Sequence, residues 1–414
     1  MSVKSVTTPG LKVQRPSSFL VQMVIRYNFR LMQTEHITGK RPRVGINAHL
    51  LSGEAGYRRA GIHQYIYQVL RHLPYTENGP DYLVFTNQPD VTAGKMGMTA
   101  VSTRLNTNSR LLRILWEQLI WPLQARQRRV DLLHSMAFVT PLLSRRTAVV
   151  TIYDLSFMHY PEQFPAGQRR YLTTMTRQAC RRARRIITIS QSSRQDVHHF
   201  FHVPLDRIDV VLPGVDDAYR PLPEEAVSAF CREKGLERFI LHVGTLQPRK
   251  NIPVLLNAFA NLPPSGLKLA LVGGKGWLYN EIFTQVKKLK LEERVLFTGY
   301  VPDGELPLWY NAAELLVFPS VYEGFGMPVV EAMACGTPVI ASDSSSIPEA
   351  VGEAGLLFNP QNAAELTDRI TAVQQDPALR AKLKKWGLQH ARNFSWKRAG
   401  RKTAVAYRRA LQGR

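Results

Sequence analysis

The chain has 414 residues, 44% of them apolar, which is enough to bury the cores of two domains. Its three cysteines, Cys180, Cys231 and Cys335, form no Cys-x-x-Cys, which argues against a disulfide framework or a cysteine zinc site and for a reducing compartment. The net charge is +22, of which 30 Lys and Arg against 14 Asp and Glu in residues 1–220 supply +16, while residues 295–368 contain neither Lys nor Arg. A basic first half points to a polyanionic partner or an anionic membrane surface, with a merely soluble basic surface as the other reading. No stretch reaches the ~20 apolar residues that would span a bilayer.

Residues 1–40 lie outside the pattern that follows. Phe19 to Ile25 is apolar but brief, lies close to Arg26 and Arg30, and lacks a small-residue cleavage site, so a signal peptide is not expected. The segment reads as a disordered basic extension, an interfacial helix over roughly Ser18 to Met32, or translation from too early a start codon with Met32 as the true start.

Arg43 to Ala48 predicts the first strand. A loop with several glycines follows, ending at Gly61. Then Ile62, Tyr65, Ile66, Val69, Leu70 and Leu73 fall on one face of a helix. Strand, glycine loop and helix is an arrangement that can hold an anion, although a plain connecting turn has the same outline. Tyr82 to Thr86 predicts a second strand and Leu111 to Leu123 an amphipathic helix carrying Trp116-Glu-Gln118. Val130 to His134, Ala148 to Ile152 and Ile186 to Ile189 predict further strands. Ser190 caps a helix running toward Phe200. Alternation of this kind predicts a parallel sheet wrapped by helices. Asp154, just after a strand, suits a polar site and equally a helix cap. The arginines Arg126, Arg128, Arg129, Arg181, Arg182, Arg184 and Arg185 are candidates for the basic face, or else solvated helix ends.

A linker begins at Pro221. Phe239 to Gly244 predicts a strand, Thr245 to Asn251 its loop, and Ile252 the start of a helix with Asn251 as N-cap and Pro253 in its first turn. Arg249 and Lys250 thus sit where a strand ends and a helix begins, in a domain otherwise poor in cations. A diphosphate there would meet charged donors and the positive end of the helix dipole. Leu269 to Gly274 and Val295 to Val301 predict two more strands; Gly273-Gly-Lys-Gly276 lacks dinucleotide-motif spacing. Leu315 to Pro319 predicts a buried strand, and Val329 to Cys335 a helix with Pro328 at its start and Gly336 at its exit. Between them lies Tyr322-Glu-Gly-Phe-Gly-Met-Pro-Val-Val-Glu331. Glu323 falls on the loop and Glu331 about a turn into the helix. Gly324 and Gly326 allow close approach of backbone N–H groups to a ligand.

That ten-residue run resembles the E-x7-E signature of retaining glycosyltransferase family 4. The match continues through Ala332 to Asp343 and Ile347-Pro-Glu-Ala-Val-Gly352. Trp116-Glu-Gln, Asp131-Leu-Leu-His-Ser135 and Thr151-Ile-Tyr-Asp-Leu155 resemble the mannosyltransferase branch of polysaccharide and O-antigen assembly. The resemblance covers roughly residues 43–411. It implies a GT-B fold: two Rossmann-like α/β domains facing a cleft, residues 41–220 for the acceptor and 221–394 for the nucleotide sugar, with a helix over 395–414 crossing back.

The reaction implied is transfer of a hexose from a nucleotide sugar, GDP-mannose as first guess, to a hydroxyl of a glycan or lipid-linked glycan. In that reading Arg249 and Lys250 stabilise the leaving diphosphate. Glu323 binds the donor sugar, and Glu331 the ribose. Gly61, Gly244, Thr245, Gly324, Phe325, Gly326 and Met327 line the donor, the backbone near Val301 meets the base, and Asp154 lies near the reacting centre. The family has His-Asp where this chain has Tyr153-Asp154, which removes a base that could act near neutral pH. Thr245 likewise replaces a usual Arg. No Asp-x-Asp occurs in the sequence, so no cofactor or divalent metal is expected. A cytoplasmic location, with peripheral contact to the inner membrane face, fits these partners. The alternatives are a GT-B epimerase or phosphorylase, or a polyanion- or nucleic-acid-binding protein.

Overall fold

The computed structural model describes residues 41–412 apart from 52–60, 104, 106, 108, 265, 275 and 277–279. The expected extension over residues 1–40 and most of the first glycine loop therefore lie outside the described residues. Residues Pro42–Arg414 form one compact unit.

Its first sheet contains β1 (Arg43–Asn47), β2 (Asp81–Phe85), β3 (Met98–Val101), β4 (Leu132–Ser135), β5 (Thr147–Ile152), β6 (Arg185–Thr188) and β7 (Ile208–Val210), in the order β3-β2-β1-β4-β5-β6-β7. The second contains β8 (Phe239–Val243), β9 (Lys268–Val272), β10 (Val295–Gly299), β11 (Leu315–Phe318), β12 (Val339–Ser342) and β13 (Leu356–Phe358), in the order β10-β9-β8-β11-β12-β13. All the pairings are parallel, as in β1 on β4 with Ile46 opposite His134, and β11 on β12 with Val317 opposite Ile340. Central strands such as β4, β8, β11 and β12 are buried along their whole length, which is why they read as short unbroken apolar runs.

Strand order reverses between β1 and β4 in one sheet and between β8 and β11 in the other. A crevice opens outside the carboxyl ends of the strands at such a point, and ligands of open α/β sheets bind there. Each sheet therefore offers one such place.

The helices are α1 (Ile62–His72), α2 (Arg110–Leu115), α3 (Trp121–Gln127), α4 (Ser156–His159), α5 (Ala166–Arg182), α6 (Gln191–Phe201), α7 (Glu224–Lys234), α8 (Ile252–Ala260), α9 (Asn280–Lys288), α10 (Leu306–Ala312), α11 (Met327–Cys335), α12 (Ile347–Val351), α13 (Ala363–Gln375), α14 (Pro377–Ala391) and α15 (Trp396–Gln412). The last returns to the first sheet: Tyr407 Oη and His134 Nδ1 lie 2.7 Å apart, and a Cβ at Gly400 would sit 2.1 Å from the His72 carbonyl. A glycine is required for that crossing.

Three local expectations need correction. The helix read over 111–123 is broken by a π turn at Trp116–Ile120, which joins α2 to α3. Strand β3 was not foreseen; it is four residues long, with only Val101 buried. Asn251 precedes α8 but does not cap it. Its backbone is left-handed (φ 54°), and its side chain donates instead to the Pro319 and Pro360 carbonyls at 3.1 and 2.7 Å, tying two loops of the second sheet together.

Candidate active site

The loops after β8 and β11 meet at the switch point of the second sheet. The backbone joins them through Val321 N–H on the Arg249 carbonyl, 2.9 Å. Arg249 Nη1 donates to Glu323 Oε2 at 2.8 Å and to the Tyr322 carbonyl at 3.2 Å. Lys250 Nζ donates to Glu323 Oε1 at 2.5 Å. Lys250 and Glu323 are only 7% and 8% exposed. Burial alone would raise the Glu323 carboxyl, but the Arg249 and Lys250 cations outweigh it and hold the group at about 2. Burial also works against the Arg249 charge, and there Glu323 and then Asp154 prevail, raising it.

The supports of this triad are specific. A Cβ at Gly244 would lie 3.1 Å from Lys250 Cε, so the glycine clears the path of the lysine stem. The Gln247 amide, turned with its oxygen toward Arg249, accepts from Nε and Nη2 at 2.8 and 3.0 Å. Ser345 Oγ accepts the Glu323 N–H at 2.9 Å, and Ser346 Oγ donates to the Glu323 carbonyl at 2.8 Å. The Ser344-Ser-Ser346 run after β12 was the sequence signal for these, and sequence reasoning passed over it.

Glu331 lies farther along α11 and accepts from Tyr310 Oη at 2.9 Å. Burial raises its carboxyl to about 7; the Tyr310 bond works against this, and Asp303 and Asp216 add to it. Phe325 is buried, its ring 5.4 Å from that of Phe394, so its side chain belongs to the core. Gly326 starts α11 with φ 104°. Met327 is half-buried between cores of both sheets. Thr245 is partly exposed, and Val301 is buried just past the end of β10. Gly61, with φ 61°, opens α1 on the first sheet, away from these loops in the chain.

The first sheet reaches the same loop. A Cβ at Gly324 would fall 2.6 Å from the Tyr153 carbonyl. Ser193 Oγ donates to that carbonyl at 2.9 Å and approaches the Gly324 carbonyl at 3.5 Å. Tyr322 Oη accepts from Leu155 N at 3.0 Å and donates to Asp196 Oδ2 at 2.7 Å, while His159 Nε2 lies 2.9 Å from Asp196 Oδ1. Glu349 takes the backbone N–H groups of Gln191 and Ser192 at 2.7 and 2.6 Å, the open N-terminus of α6. Sequence reasoning did not assign roles to Tyr322, Asp196, His159 or Glu349.

Asp154 accepts the Ser156 N–H at 2.9 Å, as a turn residue before α4, and its charge also acts on Arg249 across the cleft. The residue before α4 is Leu155, so Asp154 closes a turn rather than capping the helix. Tyr153 is 4% exposed, and its hydroxyl donates to the Met136 carbonyl at 2.7 Å. The side chain belongs to the core of the first sheet, and burial keeps its hydroxyl well above its ordinary value.

Comparison with known proteins follows this division of the chain. Residues 59–219 match the family described as Glycosyltransferase Family 4, and residues 227–390 the one described as Glycosyl transferases group 1. The O-antigen chain mannosyltransferase B of Escherichia coli is 35% identical over 280 residues, 66% of this chain and 73% of that one. The D-inositol 3-phosphate glycosyltransferase of Corynebacterium glutamicum (strain R) is 33% identical over 235 residues, 54% of this chain and 56% of that one, so less than two thirds of its length is spanned. Among solved structures, Anabaena Alr3699/HepE in complex with UDP and glucose superposes with a TM-score of 0.69 at 21% identity, over 89% of this chain and 100% of that one. The fold is thus GT-B. With one match on each sheet and most of the Escherichia coli relative spanned, the chain belongs to the group 1 and family 4 glycosyltransferases.

Proposed function

We propose that the protein transfers a hexosyl group from a nucleotide sugar to a hydroxyl of a glycan or lipid-linked glycan in cell-surface polysaccharide assembly, with retention at the anomeric carbon and without a divalent metal. Mannose from GDP-mannose is the first donor to try, because the Escherichia coli relative is named a mannosyltransferase. The observation that carries the reading is the Arg249–Lys250–Glu323 triad, its lysine and glutamate buried, at the switch point of the second sheet.

Glu323 supplies the negative charge that the two cations need. A donor diphosphate brings its own charge, so Arg249 and Lys250 turn toward it and stabilise it as it leaves. Glu323, freed in part, takes hydroxyls of the donor sugar. Glu331 accepts from the ribose hydroxyls, with Tyr310 holding its carboxylate. Asp154 faces the reacting centre from the first sheet. The test is release of nucleoside diphosphate measured with and without acceptor. Release that requires the acceptor supports transfer; epimerised donor without release means an epimerase, and neither means a binding protein.

The same reading places the protein at a membrane surface, though no helix among the described residues is long and apolar enough to cross one. Leu111, Leu115, Leu119 and Leu123 recur every fourth residue along α2, the π turn and α3, at 79, 48, 45 and 60% exposure. Arg126, Arg128 and Arg129 are exposed at the end of that helix. Leu143, 79% exposed, sits beside it, since Gln118 Oε1 holds the Leu142 N–H and Arg182 Nη1 binds the Leu142 carbonyl. Apolar side chains ringed by arginines suit an anionic lipid surface. Arg181 and Arg184 are exposed as well, whereas Arg185 is spent on Asp209 at 2.7 Å and does not contribute to such a face.

A further inference from the structure

The first sheet has a switch point of its own, between β1 and β4. Asn47 ends β1, and its Oδ1 holds the His49 N–H at 3.2 Å. Its Nδ2 donates to Glu117 Oε1 at 3.2 Å. Glu117 is brought there by the π turn. Among the described residues the Asn47 amide is its one hydrogen-bond donor, and the Arg113 guanidinium a turn away makes no hydrogen bond. Arg113 nonetheless lies close enough to act on both Glu117 and His49, whose ring packs on Trp116 with centroids 3.8 Å apart. Tyr171 of α5 closes the side, with the Arg110 guanidinium 5.7 Å from its ring centre.

His49 is 5% exposed, and among the described residues its buried Nε2 has no partner. Thr107 Oγ1 accepts from Asn87 Nδ2 at 2.9 Å and lies 3.0 Å from His49 Nδ1, a contact the hydroxyl can make as donor or as acceptor. In either tautomer Nε2 is a buried polar atom open to a ligand hydroxyl. Burial also raises Glu117 to about 7, against the pull of Arg113 and Asn47.

A carboxylate with an open oxygen, an unused guanidinium, an orphaned imidazole nitrogen and an aromatic face are the groups that hold a sugar ring. Both sheets turn their carboxyl edges to one cleft, as the contacts of Tyr322 and Gly324 with the first sheet require. With the donor loops at one switch point, the other is open to the second substrate. We propose that Glu117, Arg113, His49 and Tyr171 bind the terminal pyranose of the acceptor: Glu117 accepts from adjacent ring hydroxyls, Arg113 donates, His49 Nε2 pairs with a further hydroxyl, and Tyr171 packs on the apolar ring face. This rests on the glycosyl-transfer reading and names its acceptor side.

The test is direct binding of methyl α-D-mannopyranoside, methyl β-D-galactopyranoside and methyl N-acetyl-β-D-glucosaminide, in the presence of GDP, followed by tryptophan fluorescence, with GDP affinity and thermal melting measured in parallel. At least one pyranoside should give a saturable response, and Glu117→Gln and Arg113→Met should each weaken it about tenfold. GDP affinity and melting should stay as in the wild type. No saturable response to any pyranoside overturns the site, as does unchanged affinity in both variants. If Glu117→Gln lowers melting and GDP affinity together, the cluster merely pins the helix to the sheet, and the proposal falls. Pyranoside binding without binding of any nucleoside diphosphate would instead defeat the transferase reading and leave this pocket standing.

Discussion

Glu323 stays charged inside the protein because Arg249 and Lys250 stand beside it. Since its carboxyl is held at about 2, it contributes stability above the ordinary carboxylate range and loses that contribution as the pH falls from about 4.5 toward 2. Glu323→Gln should therefore flatten the acid limb of the melting curve; an unchanged limb contradicts the pairing. Lys250→Ala and Arg249→Ala should each cost on the order of 1.5–3 kcal/mol in kcat/KM, the loss of one charge-assisted contact, and wild-type kinetics in the double variant would remove the pair from the mechanism. Glu331 has the opposite sign. Raised to about 7, it is protonated in the fold where an unfolded carboxyl is already ionised, so stability falls as pH rises from about 4.5 to 7. Ribose hydroxyls donate best to the ionised form, so nucleoside diphosphate affinity should rise through pH 7 in the wild type and lose that rise in Glu331→Gln, as calorimetry would read. The positions of these four residues on strand ends and helix starts could be read from the chain, because Gly, Pro and apolar runs mark them. Their pairing could not be read, since Lys250 and Glu323 are 73 residues apart and meet only through sheet order. Tyr153 shows the limit from the other side: its type was known, but its orientation into the core came from Tyr65, whose ring lies edge-on 5.3 Å away.

At the level of elements, α6 begins against Glu349 of α12 rather than against solvent. A carboxylate at a helix N-terminus gains both from unpaired N–H groups and from the dipole. Glu349→Ala should weaken the contact between the two sheets and raise the donor KM, with the isolated Ser190 cap on Ser193 N–H keeping α6 folded. Unchanged kinetics would show that the contact is idle. Short, fully buried apolar strands and α1, with its i, i+3, i+4 pattern, were legible because burial on one or both faces writes itself into the sequence pattern. Strand β3 was not, because an edge strand with one buried residue leaves no pattern. The π turn was not legible either, although exposed leucines spaced by four rather than alternating three and four were its trace.

For the whole molecule, charge and shape point the same way. Most of the +22 lies in the half that carries the leucine face. The protein should sediment with anionic vesicles at low salt and leave them at high salt, with about 1 kcal/mol per arginine near the surface. Equal binding to neutral vesicles would sink the electrostatic attachment. Deleting residues 1–40 in the same assay separates the extension from the domain face. Activity should also survive EDTA; an enzyme revived only by added magnesium or manganese would contradict the side-chain cations as the sole counter-charge. Finally, one close approach of the halves depends on the hydrogen atom that Gly324 carries in place of a side chain. A methyl there would stand 2.6 Å from the Tyr153 carbonyl, and the seam would have to part by about 0.8 Å to restore ordinary contact. The seam is stitched by the amides of Leu155, Gln191 and Ser192. In Gly324→Ala those three amides should exchange with deuterium faster than in the wild type, while core amides of β4 and β12 keep their protection. A glycine read as a ligand-facing position is thus also a spacer at the seam between the two sheets.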